Sequence, residues 1–267
     1  MAQRHSGSNW MSILKFPLGS RTSKPRKSGL TMVIDKGLGL GETRDLLNLA
    51  GDYIDYLKLG FGTSAFYATE ILEEKINLVR SYNVDIYPGG TFLEVAILQD
   101  KLEEYLNMVK QLGFTAVEIS DGTITFDSTM RANAINMAAE KGLIVLSEVG
   151  KKDTERRAPL SQLIKQVLSD LKYGAQKVIV EGRESGKGVG LYDSTGKIIQ
   201  TEMEELVSAL PDPSVLIWEA PLKDQQQDLI LRFGPNVNFG NINAHEVLAV
   251  EALRVGLRAD TLKSVCD

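Results

Sequence analysis

Eight short runs rich in β-branched residues alternate with amphipathic stretches through most of this chain, and that alternation limits its fold more than any other feature. The runs are TMVIDK from Thr31, IDYLKLG from Ile54, VDIYPG from Val84, TAVEIS from Thr115, LIVLSEVG from Leu143, KVIVEGRE from Lys177, SVLIWEA from Ser214 and NVNFGN from Asn236. Between them lie segments such as ATEILEEKINLVRSY and STMRANAINMAAEKG, whose apolar residues recur at helical spacing. A strand followed by a helix, repeated eight times, builds a parallel sheet. The expected fold is therefore a single (β/α)8 TIM barrel, because a chain of 267 residues is long enough for one. An open doubly wound sheet of this size would show a glycine-rich dinucleotide fingerprint or a domain break. Residues 29–267 are assigned to the barrel. Residues 1–28, rich in Ser, Gly, Lys and Arg and running into SRTSKPRKSG, read as a partly flexible N-terminal arm.

Composition removes several function classes. A net charge of -5 without a dense basic run argues against nucleic-acid binding, which depends on neutralising phosphates. The single cysteine, Cys266, and the two histidines, His5 and His245, leave no disulfide framework, no Cys/His metal site and no histidine triad. No apolar run reaches membrane-spanning length and no signal core follows the N-terminus, so the expected location is the cytoplasm. The stretch VIVEGRESGKGVG, residues 178–190, resembles a phosphate loop but fails as one. Three residues rather than four separate Gly182 from Gly186, and Gly188 after Lys187 has no hydroxyl for magnesium.

The strands end in polar residues: Asp35, Lys58, Glu118 with Ser120 and Asp121, Glu148, Glu181 with Arg183, Glu219, and Asn238 with Asn241. In a parallel barrel all the carboxyl ends meet on one rim, so these side chains converge. Period-two alternation places Ile144, Leu146 and Glu148 on one face, and likewise Ile179, Glu181 and Arg183. Gathering like charges is costly without a compensating cation. An oxygen-only donor set suits Mg2+, with Glu148, Glu181 and Glu118 as the leading ligands and Asp35 and Glu219 behind them. The complementary cations are Lys58, the pair Lys151 and Lys152, and Lys187. One amine of that pair is placed to act as a general acid. Arg183, Lys187 and the backbone N–H groups of Gly186 and Gly188 are expected to cradle a phosphate or carboxylate, and Asn241 to add a donor. The same charges also admit a Schiff-base barrel using Lys152 or Lys58, or a barrel without catalysis.

Nine stretches in order resemble the phosphosulfolactate synthases: VIDKG (33–37), GDYIDYLKLGFGTS (51–64), YPGGT (87–91), LGFTAVEISDG (112–122), LSEVGKK (146–152), VIVEGRESGKGVGL (178–191), WEAPLKDQQ (218–226), GPNVNFGNI (234–242) and EALRVGLRADT (251–261). The resemblance implies a (β/α)8 barrel that adds sulfite to phosphoenolpyruvate with magnesium, on the way to coenzyme M or sulfolactate. It also implies that Lys152 is the acid, ahead of Lys151. Lys58, Arg183 and Lys187 then hold the substrate anions. A homo-oligomer, a trimer, is the assembly expected from the resemblance together with the arm.

Overall fold

The computed structural model describes residues 9–19, 21–151 and 158–266. Among them eight strands run in parallel: β1 (Thr31–Asp35), β2 (Tyr56–Leu59), β3 (Asp85–Pro88), β4 (Ala116–Ile119), β5 (Ile144–Val149), β6 (Lys177–Val180), β7 (Leu216–Glu219) and β8 (Phe239–Asn243). Each lies inside, or within two residues of, one of the eight runs. The strand order β3-β2-β1-β8-β7-β6-β5-β4 wraps the sheet into a nearly closed barrel. Its seam is bridged by Thr115, whose N–H donates to Ile86 O at 3.1 Å and whose Oγ1 accepts from Ile86 N at 3.0 Å.

The helices are α1 (Leu40–Ala50), α2 (Thr69–Ser81), α3 (Gly90–Leu98), α4 (Leu102–Gln111), α5 (Ser128–Glu140), α6 (Leu160–Tyr173), α7 (Gln200–Ser208), α8 (Lys223–Phe233), α9 (Val247–Arg254) and α10 (Ala259–Leu262). Their ends follow local chemistry. The Asp127 side chain accepts from Met130 N at 2.8 Å and opens α5, while Gly174 at φ 117° closes α6.

Strand alternation sorts the apolar residues into two cores. Val33, Leu57, Ile86, Val117, Val145, Val178 and Leu216 face outward against helix residues such as Leu47, Ile76, Leu106 and Val167. Leu30, Met32, Tyr56, Tyr87, Ala116, Leu146, Ile179 and Ile217 fill the barrel interior. The barrel is thus a packed solid, open for a ligand only at its ends.

The amino end is sealed by charge. Arg254 is fully buried, donates to the carbonyls of Pro235, Val237 and Leu30, and lies 4.2 Å from the Phe239 ring centroid. Residues of the arm fold beneath their own barrel: Arg21 pairs with Glu251 and Arg26 with Asp55. Asn238, grouped with the rim residues in the sequence, sits at this end instead. Its Oδ1 accepts from Leu30 N, and its amide donates to Ser214 and Leu216 carbonyls. Replacing Arg254 by methionine takes the buried guanidinium away from the Pro235 and Val237 carbonyls and from its ion pair with Glu251. The variant is expected to lose about 3–5 kcal/mol in urea denaturation. Among the described residues no helix is long and apolar enough to cross a membrane.

Candidate active site

The inward-facing positions that are apolar in mid-barrel turn ionic one step further along the strands. Tyr56 is followed two residues on by Lys58, Ala116 by Glu118, Leu146 by Glu148, Ile179 by Glu181 and Ile217 by Glu219. These five side chains line a cavity of about 510 Å³ at the carboxyl end, with Gly89, Gly90, Arg183 and Asn241 on its walls. The four carboxylates are at most 2 % exposed.

Lys58 is the hub. Its Nζ lies 2.9 Å from Glu118 Oε2, 3.3 Å from Glu219 Oε1 and 3.6 Å from Glu148 Oε2. Burial alone pulls its pKa down, but Glu118, Glu219 and Glu148 outweigh that and hold it well above the ordinary lysine value. An amine held as ammonium is a poor Schiff-base nucleophile. Three of the carboxylates are also aimed by the backbone: Gly90 N donates to Glu118 Oε1 at 2.8 Å, Gly182 N to Glu219 Oε2 at 2.9 Å and Arg183 N to Glu181 Oε1 at 2.6 Å. Beneath them, burial and Glu118 keep the Tyr87 hydroxyl well above its usual pKa, hence protonated.

Among the described residues, Glu148, Glu181 and Glu219 each bring one oxygen to within 4.8 Å of the others. Four buried glutamates around one buried ammonium leave negative charge to be offset. An all-carboxylate donor set of this kind fits a hard divalent cation such as Mg2+. Glu118 stands beside this trio as the closest partner of Lys58.

Several expectations change. Asp35 leaves the ligand set, because Met32 and Ile34 point inward and the next residue must point out. Asp35 instead pairs with the buried Lys75 and accepts from Gly37 and Leu38 N–H, shaping the loop after β1. Lys151 turns away from the carboxylates and donates to Asp121 Oδ2 at 2.8 Å and Asp121 O at 2.7 Å. The anion cradle expected at Gly186 and Gly188 is not formed, since their N–H groups donate to Gly182 O and Asp193 O. Lys187 is exposed and does not line the cavity. Lys152 lies outside the described residues.

Arg183 and Asn241 do reach the cavity, and both have left-handed backbone, φ 57° and 54°, as does Phe61 at the mouth. For Asn241 the cause is a register shift between β8 and β1, an irregularity that turns its side chain toward the cavity. Glu94, outside the residues expected from the sequence, is buried beside this site; its sequence signal is one acid in an otherwise apolar helix, GTFLEVAIL.

Among solved structures, the fold is similar to 3-hexulose-6-phosphate synthase from Salmonella typhimurium, with TM-score 0.54, 14% identity, and coverage of 86% of this chain and 100% of that one. It is also similar to phosphonopyruvate hydrolase, with TM-score 0.53, 14% identity, and coverage of 85% and 80%. At such identity the likeness concerns the fold alone. Sequence similarity is much closer to the phosphosulfolactate synthases. That of Methanothermobacter thermautotrophicus is 45% identical over 96% of this chain and 99% of its own, and that of Methanocaldococcus jannaschii 46% over 89% and 95%. The Bacillus subtilis protein of the same name is 38% identical over 94% and 99%. Residues 19–260 match the family described as (2R)-phospho-3-sulfolactate synthase (ComA), and with relatives this similar along nearly their whole length, the chain belongs to that family.

Proposed function

We propose that this chain is a C–S bond-forming lyase that adds sulfite to phosphoenolpyruvate, with Mg2+, to give (2R)-2-phospho-3-sulfolactate. The observation that carries the reading is the convergence of Glu118, Glu148 and Glu219 around Lys58, with Glu181 beside Glu148 and Glu219, at one end of the barrel of a family member.

In the addition, the sulfur lone pair forms a bond to the methylene carbon of phosphoenolpyruvate. The double-bond electrons move toward the carboxylate as an enediolate, and one proton then joins the carbon bearing the phosphate. Glu148, Glu181 and Glu219 would hold the magnesium ion. When bound, that ion supplies positive charge beside the substrate carboxylate. Lys58 spaces the carboxylates and keeps its own proton. Arg183 at the cavity wall favours the approach of two mutually repelling anions, and Asn241 offers an uncharged donor there. The proton is assigned to Lys152, ahead of Lys151, whose ammonium is committed to Asp121.

The test is turnover of the purified protein with phosphoenolpyruvate, sulfite and Mg2+, each omitted in turn. Product formation is expected only when all three are present. Chelator-insensitive activity with covalent trapping of a carbonyl substrate by borohydride would instead establish the Schiff-base chemistry.

A further inference from the structure

Helix α3 and the loop after β4 hold a buried polar chain for which the chemistry above has no use. Glu94, on the barrel-facing side of α3, is 2 % exposed, and Ser120, just past β4, is fully buried. Ser120 Oγ lies 2.7 Å from Glu148 Oε1 and 3.1 Å from Glu94 Oε1. The other oxygen of Glu94 accepts from Thr123 N at 2.9 Å and Ile124 N at 2.7 Å. The chain thus runs from a helix, through a loop, to one of the three carboxylates that converge as a cation site.

We propose that Ser120 and Glu94 are positioning residues for that site: they set the orientation in which Glu148 meets the cation. The inference rests on the reading that Glu148, Glu181 and Glu219 hold a divalent ion. A glutamate side chain turns readily about its terminal torsion, so where it is buried, hydrogen bonds decide which oxygen faces which way. Ser120 engages Oε1 and leaves Oε2 turned toward Lys58 at 3.6 Å, on the side of the cluster. The hydroxyl is in turn held in place. Gly122 N donates to it at 3.2 Å, and Glu94 pins Thr123 and Ile124, which fixes the loop that follows.

Ser120 has a single hydroxyl proton for two carboxylates, which makes the conservative variant informative. Glutamine at position 94 can put its carbonyl oxygen on the Thr123 and Ile124 N–H groups and its amide on Ser120 Oγ, committing the hydroxyl proton to Glu148. Alanine can do neither. A latch that serves only the loop would change the melting temperature without changing affinity for the ion.

The experiment measures Mn2+ binding to the full chain by electron paramagnetic resonance, without substrates, for the wild type, S120A, E94A and E94Q. Melting temperatures are recorded alongside. S120A and E94A are expected to weaken Mn2+ binding about 10- to 100-fold, and E94Q to bind as the wild type does. Should E94A fail to fold, S120A, which deletes one hydroxyl, carries the test. Wild-type affinity in S120A overturns the proposal, whatever happens to its melting temperature. Absence of Mn2+ binding in the wild type would instead sink the cation reading itself, so the two failures are distinguishable.

Discussion

Lys58→Met is expected to abolish turnover and to lower stability by about 3–5 kcal/mol at neutral pH, the usual cost of removing one partner from a buried ionic cluster. Methionine fills a similar volume, so the loss comes from charge rather than from a cavity. Glu118, Glu148 and Glu219 would face one another without the ammonium that now lies within 3.6 Å of all three. The pH dependence follows from the direction of the shift. The folded-state pKa of Lys58 is raised above its ordinary value of 10.5, so its contribution is complete below that value and is lost only as pH rises through the higher folded one. At neutral pH the wild type therefore keeps the whole contribution. Urea denaturation of both proteins at about pH 7 checks the size of the loss. A stability gap under about 0.5 kcal/mol would show that the ammonium does not hold the carboxylates together.

The second large effect is expected in the glycine-rich loop that fails as a nucleotide site. A Cβ at Gly190 would lie 1.9 Å from Glu181 O, at a backbone φ of 56° that disfavours side chains. A Cβ at Gly182 would lie 2.6 Å from Glu219 O. The loop after β6 is therefore glycine-rich so that its backbone can lie directly against two of the carboxylate-bearing residues. Gly190→Ala must push Glu181 away or reshape the loop. A cost of at least about 1–3 kcal/mol is expected, as for other overpacked sites, with turnover reduced by about two orders of magnitude, as when a misplaced group costs 10²-fold. Gly41→Ala is the control. Gly41 lies in α1 with nothing within 4 Å of the added methyl, so thermal melts should show no loss there. Equal effects at both positions would remove the steric account.

Much of this site could be read from residue order. Glu118, Glu148, Glu181 and Glu219 stand two residues beyond interior apolar positions, and counting by twos along each strand points them inward. Asp35 also stands near a strand end, but the same count gives the opposite answer: it follows Ile34, so it faces the helices and binds Lys75. Asn238 likewise stands near a strand, but β8 starts after it and it belongs to the amino end. The N–H groups of Gly186 and Gly188 looked available because a glycine-rich stretch does not reveal its own turns, which are closed by Gly182 and Asp193.

Sequence by itself determined the eight strand-helix units, the ionic residues at the strand ends and the family, because hydrophobic period and residue identity are local properties of the chain. Tertiary structure alone decided that Lys58 stands among three carboxylates from other strands, that Lys151 is spent on Asp121, and that Glu94 reaches Glu148 through Ser120. Those partners lie 26 to 161 residues apart in the chain. Only closing the sheet brings them within hydrogen-bonding distance, and there Coulomb and hydrogen-bond energies choose among neighbours that no local pattern records.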